Sequence, residues 1–310
     1  MHRILVTGGS GFIGSHVLEK LVEKEYEVTI LDNLFTGKKE NLSKVLNQIK
    51  FIQGDIRKKE KVQIALKNVD IVVHLAALIS VPESIEKPLL YNEINSGGTQ
   101  SLLNQSVREG VKKFLFISSC AVYGNPIKIP IDEYHPTRPL SPYAITKLNA
   151  EEQCRIYSKM GRIKTIVMRL FNVYGPRQTY NQYSGVITQF IQKVRNGEPP
   201  LIFGDGEQTR DFIFVDDVAE FINKAIETEN EQIINIGTGN RTTINQLAEI
   251  IIKISKKNLT PIHLPSKQGE IRHSQADISK AIRILRYIPR TSLEEGLVKT
   301  MASLEYAIKM

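Results

Sequence analysis

The run Thr7-Gly8-Gly9-Ser10-Gly11-Phe12-Ile13-Gly14 follows the apolar stretch Ile4-Leu5-Val6 and precedes the helical pattern Phe12-Ile13-Gly14-Ser15-His16-Val17-Leu18. Glycines at 8, 11 and 14 between a strand and a helix have a physical logic. The first allows a tight turn, the second lets the backbone approach a pyrophosphate, and the third lets helix and strand pack closely. The free N–H groups and partial positive charge of a helix start then face the phosphates. Asp32 ends the next strand pattern, about 20 residues on, where a carboxylate accepts hydrogen bonds from ribose hydroxyls and repels a 2′-phosphate. The reading is a dinucleotide site that prefers NAD to NADP. Lys38 and Lys39 stand close enough to soften that preference, although solvent-facing lysines are the simpler reading. Asp55, in Gly54-Asp55-Ile56, is placed to reach the adenine or to cap a turn.

Working outward, the first 170 residues alternate strands and helices. Strands are expected at 4–7, 28–31, 51–54, 71–75, 113–118 and 165–170, and helices at 13–24, 91–108 and 142–159. The strands read as continuous Ile/Val/Leu/Phe runs, which fits a parallel sheet buried on both faces. The fold class is therefore α/β, a doubly wound parallel sheet of Rossmann type. After residue 170 short strands (201–203, 211–215, 233–236) mix with helices (186–195, 217–228, 244–255, 293–309). This suggests a Rossmann domain over 1–170 and a smaller, interleaved α/β substrate domain over 171–310.

At 310 residues with 41% hydrophobic composition, the chain can bury a sizeable core. Its net charge of +8 fits a solvated basic surface with a pocket for phosphorylated ligands better than a nucleic-acid surface. No apolar run approaches the roughly 18 residues of a membrane span. The two cysteines, Cys120 and Cys154, form neither a disulfide framework nor a metal pattern. A cytoplasmic protein without metal is expected.

Tyr143 and Lys147 are spaced i, i+4 on a predicted helix, so they share a face. An ammonium beside a phenol, together with a positive nicotinamide ring, is expected to lower the phenol's pKa and make it a base. Ser118 and Ser119 close a strand at the carboxyl edge, where open α/β sheets bind ligands.

The chain resembles the extended short-chain dehydrogenases/reductases of the NAD-dependent sugar-nucleotide epimerase/dehydratase family, essentially end to end. The resemblance rests on the glycine run, Leu75-Ala76-Ala77, Asn95-Ser96-Gly97-Gly98-Thr99, Ser118-Ser119-Cys120-Ala121-Val122-Tyr123-Gly124 and the Tyr143/Lys147 pair. Two further motifs complete it, Arg169-Leu170-Phe171-Asn172-Val173-Tyr174-Gly175-Pro176-Arg177-Gln178 and Gly204-Asp205-Gly206-Glu207-Gln208-Thr209-Arg210-Asp211-Phe212. It implies Ser119, Tyr143 and Lys147 as catalytic residues. The NAD set is Gly8, Gly11, Phe12, Ile13, Gly14, Asp32, Asn33, Lys38, Asp55, Ile56, Leu75, Ala76, Ala77, Asn95 and Ser118, with Tyr143 and Lys147. The substrate set is Ser80, Ser119, Tyr143, Asn172, Val186, Arg210, Lys267, Arg272 and Ser274.

Family dehydratases and decarboxylases carry carboxylates just after the catalytic hydroxyl, where this chain has Cys120 and Ala121. That favours a UDP-sugar 4-epimerase, with UDP-glucuronate 4-epimerase, a 4,6-dehydratase, a decarboxylase and a silent dinucleotide sensor as alternatives. Many 4-epimerases carry Arg where this chain has Lys267, a point charge instead of a fork. Plain-sugar enzymes often place a Tyr where this chain has Ser274. Ser80-Val81-Pro82 and Tyr183-Ser184-Gly185-Val186-Ile187 also resemble UDP-N-acetylglucosamine 4-epimerases, so that sugar and UDP-glucose are both expected substrates. Relatives pair the two long helices into a homodimer, and Leu102, Leu103, Ile145 and Leu148 are the apolar residues that suggest the same here.

Overall fold

The computed structural model describes residues 2–180, 185–229, 232–266, 269 and 271–306. Six strands set the frame: β1 (Arg3–Thr7), β2 (Glu27–Asp32), β3 (Ile49–Gln53), β4 (Ile71–His74), β5 (Lys113–Ser119) and β6 (Lys164–Leu170). The central residues of β1, β4, β5 and β6 are almost wholly buried, and those of the edge strand β3 are only partly so. The helices between them are α1 (Phe12–Glu23), α2 (Lys59–Leu66), α3 (Val81–Glu86), α4 (Pro88–Tyr91), α5 (Thr99–Arg108) and α6 (Pro142–Lys159). α6 starts on a cap, Ser141 Oγ accepting the Ala144 N–H, with Pro142 at its first position.

Farther along lie β7 (Asn172–Tyr174), α7 (Val186–Arg195), β8 (Leu201–Phe203), β9 (Thr209–Arg210), β10 (Phe212–Phe214) and α8 (Val215–Glu227). The chain continues through β11 (Gln232–Ile236), β12 (Thr242–Thr243), α9 (Ile244–Ser255), β13 (Ile262–Leu264), α10 (Ser279–Leu285) and α11 (Leu293–Tyr306).

The main sheet has seven strands in the order β11-β6-β5-β4-β1-β2-β3, all parallel. The chain runs outward from β1 to β3, returns to β4 on the other side, and continues to β6. The direction reverses between β1 and β4, and loops leaving those two strands part there. A crevice at their carboxyl ends is the consequence. This is the doubly wound sheet expected from the sequence.

A strand from beyond residue 170 completes the main sheet. β11 pairs with β6 along Gln232↔Ile166 to Ile236↔Leu170, so residues 232–236 finish the large sheet. α8 packs against α1, burying Val218, Phe221 and Ile222 in the same core as Val17, Leu18 and Leu21. A separate apolar cluster, formed by α7, α9 and the short strands with Phe190, Ile191, Leu247 and Ile251, lies outside the sheet.

Two elements differ from the sequence expectation. The helix expected over 91–108 contains a π-helical stretch, Asn92–Gly98, between α4 and α5. The strand expected over 211–215 is broken at Asp211. Its buried carboxylate accepts N–H groups from Thr238, Gly239 and Ala276, and the two halves join different ladders, β9 with β12 and β10 with β7. Leu102 and Leu103, expected to leave an apolar outer face, are fully buried under the sheet. Ile145 of α6 is 47% exposed.

Candidate active site

The crevice holds a cavity of about 580 Å³. Gly8, Gly11, Phe12, Ile13 and Gly14 form its floor. Gly8 has φ +72°, a left-handed conformation suited to glycine. A Cβ on Gly14 would lie 2.2 Å from the Gly8 carbonyl oxygen, so any side chain there would push α1 off β1. The resulting bare-backbone cradle at a helix start fits a pyrophosphate.

Asp32 is buried, and its two carboxylate oxygens accept the N–H groups of Ser10 (2.9 Å) and Leu34 (2.8 Å). Each oxygen keeps a lone pair for a ribose hydroxyl. Asn33, Asp55 and Ile56 also border the cavity. Asp55 is gripped by Arg57, whose Nε and Nη2 lie 2.9 and 2.8 Å from its two oxygens. That contact lowers its pKa to about 2. Lys38 does not border the cavity; it is exposed, and its backbone N–H binds Ser10 O at 3.0 Å. Arg57 does border it. Its position two residues after Asp55 was the available sequence signal.

Leu75, Ala76 and Ala77 line the opposite wall. Asn95 lies behind that wall, not on it. Its Oδ1 accepts the Leu78 N–H (2.9 Å), and its Nδ2 donates to Leu78 O (2.9 Å) and Thr146 Oγ1 (3.1 Å). It thus fastens the loop after β4 to α6, one residue from Lys147. Under β4 the buried His74 lies between Thr7 Oγ1 (2.7 Å from Nδ1) and Thr99 Oγ1 (2.9 Å from Nε2).

Burial pushes the His74 imidazole down to about 3, helped by the charge of Lys147. An unfolded chain binds a proton at this residue below about pH 6.5 that the folded chain refuses, so folding stability falls as pH drops from 6.5 toward 3. The expected loss is about 1.4 kcal/mol per pH unit in that window. Thermal melts between pH 7 and 5 check this: His74→Gln should flatten the slope, and an unchanged slope would count against His74 as its source.

Ser119 and Tyr143 both border the cavity, and the Ser119 hydroxyl acts on the Tyr143 phenol. Ser119 Oγ also accepts the Ala121 N–H at 3.1 Å. Lys147 is buried, donates to Ile117 O at 2.8 Å, and lies 4.9 Å from the Phe116 ring centroid. Both groups sit in a dry pocket, and this corrects one expectation. Burial raises the Tyr143 pKa to about 12, with the Ser119 hydroxyl pulling the other way. Burial also lowers Lys147 to about 8, against the opposing carboxylate of Glu151. Loss of water around the phenolate outweighs the ammonium one turn away.

Ser118 reaches the cavity wall, but its hydroxyl turns inward and donates to Glu151 Oε1 at 2.5 Å. Arg169 forks the same buried carboxylate, with Nη2 at 2.6 Å from Oε2. Removing either member of such a buried pair strands the other charge.

Cys120 borders the cavity beside Ser119, its thiol pushed up to about 12 by burial. Asn172, Arg210 and Ser274 border the cavity too. A second cavity of about 400 Å³ adjoins it, lined by Val186, Phe190, Phe203 and Gln208 among others. Asn172, Val173, Gln178 and Arg210 line both.

Other predicted substrate residues lie elsewhere. Ser80 caps α3, its Oγ accepting the Glu83 N–H at 3.1 Å. Arg272 makes a two-pronged ion pair with Asp205 (2.6 and 2.7 Å). Lys267, Tyr183 and Ser184 lie outside the described residues. Gln178, at the junction, was quoted in a motif without a role.

Residues 4–237 match the model of the NAD dependent epimerase/dehydratase family. The chain belongs to that family. A putative UDP-glucose 4-epimerase of Methanocaldococcus jannaschii is 42% identical over 96% of this chain and 97% of its own length. The solved UDP-glucose 4-epimerase of Thermotoga maritima, with UDP-glucose, is 39% identical and covers 99% of both chains with a TM-score of 0.94. A UDP-N-acetylglucosamine 4-epimerase from Methanobrevibacter ruminantium, in complex with UDP-N-acetylmuramic acid, is 37% identical, with a TM-score of 0.95 over 100% of this chain and 99% of that one. Relatives named as decarboxylases and 4,6-dehydratases match as well. The protein is an NAD-dependent enzyme of this family. Among the described residues no helix is long and apolar enough to cross a membrane.

Proposed function

We propose that the enzyme is a UDP-sugar 4-epimerase that takes UDP-N-acetylglucosamine and UDP-glucose. One observation carries the choice of reaction. Among the described residues, the only carboxylates bordering either cavity are Asp32 and Asp55. Asp32 ends β2 and Asp55 follows β3, on the far side of β1 and β4 from Ser119 and β5. Elimination or decarboxylation lacks an acidic group beside the sugar, whereas oxidation and re-reduction at C4 needs only a hydroxyl, a phenol and a redox cofactor.

Gly8, Gly11 and Gly14 hold the NAD pyrophosphate, Asp32 the adenosine ribose, and Ala76, Ala77 and Lys147 the nicotinamide end. NAD, when bound, would supply reversible hydride exchange with C4 of the sugar and a positive charge beside Tyr143. Tyr143 removes the C4 hydroxyl proton, assisted by Ser119, and returns it on re-reduction. Lys147 orients the ribose. Asn172 and Arg210 hold the diphosphate, and the second cavity receives the nucleoside. The small Ser274 leaves space for a 2-acetamido group. The test is product analysis by NMR with UDP-glucose, UDP-N-acetylglucosamine and UDP-glucuronate in parallel. Conversion of the third alone, or a dehydrated or decarboxylated product, would overturn the reading.

The protein works in the cytoplasm as a homodimer on this reading. Both cysteines are unpaired. Ile145 on α6, Ile85 on α3 and Leu89 on α4 are exposed, and α3 and α4 pack on α6, so they make an apolar patch suited to a second copy. Light scattering at micromolar concentration should give a dimer mass, and Ile145→Asp with Leu89→Asp should shift it toward the monomer. A monomeric wild type would rule the dimer out.

A further inference from the structure

Gln178 stands where the two cavities join, with Asn172, Val173 and Arg210. Two of these neighbours are polar and one is a cation, and the place lies between the Ser119–Tyr143 end and the apolar nucleoside end. Its side chain is conspicuous for a second reason. Among the described residues its Oε1 is buried without a hydrogen-bond partner. A stranded amide oxygen costs folding free energy, and such groups call for an explanation at the site they occupy.

The backbone that carries Gln178 is held firmly. Arg177 has φ +69°, a left-handed conformation that is strained for a residue with a side chain. Its guanidinium pairs with Glu19 on α1. The carbonyl of Pro176 meets His16 Nε2 at 3.1 Å, and His16 also belongs to α1. The two residues before Gln178 are thus tied to the helix whose first turn forms the cavity floor. The side-chain amide that this backbone presents carries both a donor and an acceptor.

We propose that Gln178 is a substrate-positioning residue whose side-chain amide binds the sugar nucleotide at the junction, its Oε1 accepting from a sugar or ribose hydroxyl and its N–H donating to an oxygen of the adjoining diphosphate. This rests on the UDP-sugar reading above. The amide adds a neutral, directional donor beside the point charge of Arg210, and so fixes where the sugar ring begins relative to Tyr143.

The test compares wild type with Gln178→Met, which keeps length and removes the amide, and Gln178→Glu, which keeps shape and adds a negative charge. UDP affinity is measured by calorimetry on the NAD-loaded protein, alongside steady-state kinetics on the UDP-sugar that the wild type turns over. Gln178→Met should raise KM and the UDP Kd about 10-fold, with kcat within about threefold and with melting temperature and bound NAD unchanged. Gln178→Glu should weaken both by about 100-fold, since a carboxylate then faces the diphosphate. KM and Kd within twofold of wild type in both variants, or a loss confined to kcat, would overturn the assignment. The calorimetry needs no turnover, so a wild type that binds UDP but epimerises no UDP-sugar would defeat the functional reading alone.

Discussion

Replacing Tyr143 with Phe lowers kcat by about 10²–10⁴-fold, the usual worth of a positioned acid–base group, while NAD content and UDP affinity stay at wild-type levels. The argument starts from burial. Tyr143 and Lys147 are both almost fully buried. The phenol is pushed up to about 12 and the ammonium down to about 8 by the same loss of water. With its pKa there, very little of the phenol is ionised near pH 7, and the hydroxyl of Ser119 is the group of the chain that favours its ionised form. Removing the hydroxyl leaves Lys147 as the nearby group able to take a proton, and its ammonium is committed to Ile117 O; Cys120 is held as a thiol by burial, and among the described residues no carboxylate borders this end of the cavity. The fall in kcat should therefore appear at every pH from 6 to 9. Near-full activity in the variant would reject Tyr143 as the base.

Much of this site could be read from the chain. Continuous apolar runs can only be strands covered on both sides, so the sheet and its crevice followed from residues 4–7, 28–31 and 71–75. A Tyr and a Lys four apart on a helix, with two serines at a strand end, needed only the topology to bring them together. Other features had no local signal. Residues 233–236 read as a short strand of the smaller, interleaved domain, with no sign of its partner, because strand partners are set by the path of the chain, and α8 returns it to the edge of β6. Asp211 looked like part of a strand because nothing nearby in sequence revealed the three N–H groups that its buried carboxylate collects from residues 238, 239 and 276. The direction of the Tyr143 shift depended on how dry the pocket is, a property of packing that spacing does not encode. Asn95 is a cofactor residue by the family resemblance of its Asn95-Ser96-Gly97-Gly98-Thr99 motif. Its hydrogen bonds show a strut between the β4 loop and α6.

The choice of sugar is tested most sharply at Ser274. Its side chain borders the large cavity together with Ser119, Tyr143 and Arg210, and the residue is buried, which removes the alternative that it is a surface residue of a polar loop. Its backbone is also fixed. The Ser274 N–H donates to Thr209 O at 3.1 Å, Thr209 N–H donates to Arg272 O at 2.9 Å, and His273 Nδ1 meets Thr209 Oγ1 at 3.1 Å. A larger side chain at 274 is therefore not free to swing away with its loop, and a tyrosine ring there must occupy cavity volume. Rejecting a substrate by a clash separates two sugars more strongly than losing a contact does. Ser274→Tyr should lower kcat/KM for UDP-N-acetylglucosamine by more than about 10²-fold, while UDP-glucose stays within about 10-fold, because only the first must fit an acetamido group beside the ring. Both values measured in wild type and variant, with UDP affinity as a control for the nucleoside end, decide the matter. Equal losses on the two sugars, or no change on either, would show that the acetamido group lies elsewhere in the cavity and that Ser274 has no part in selecting it.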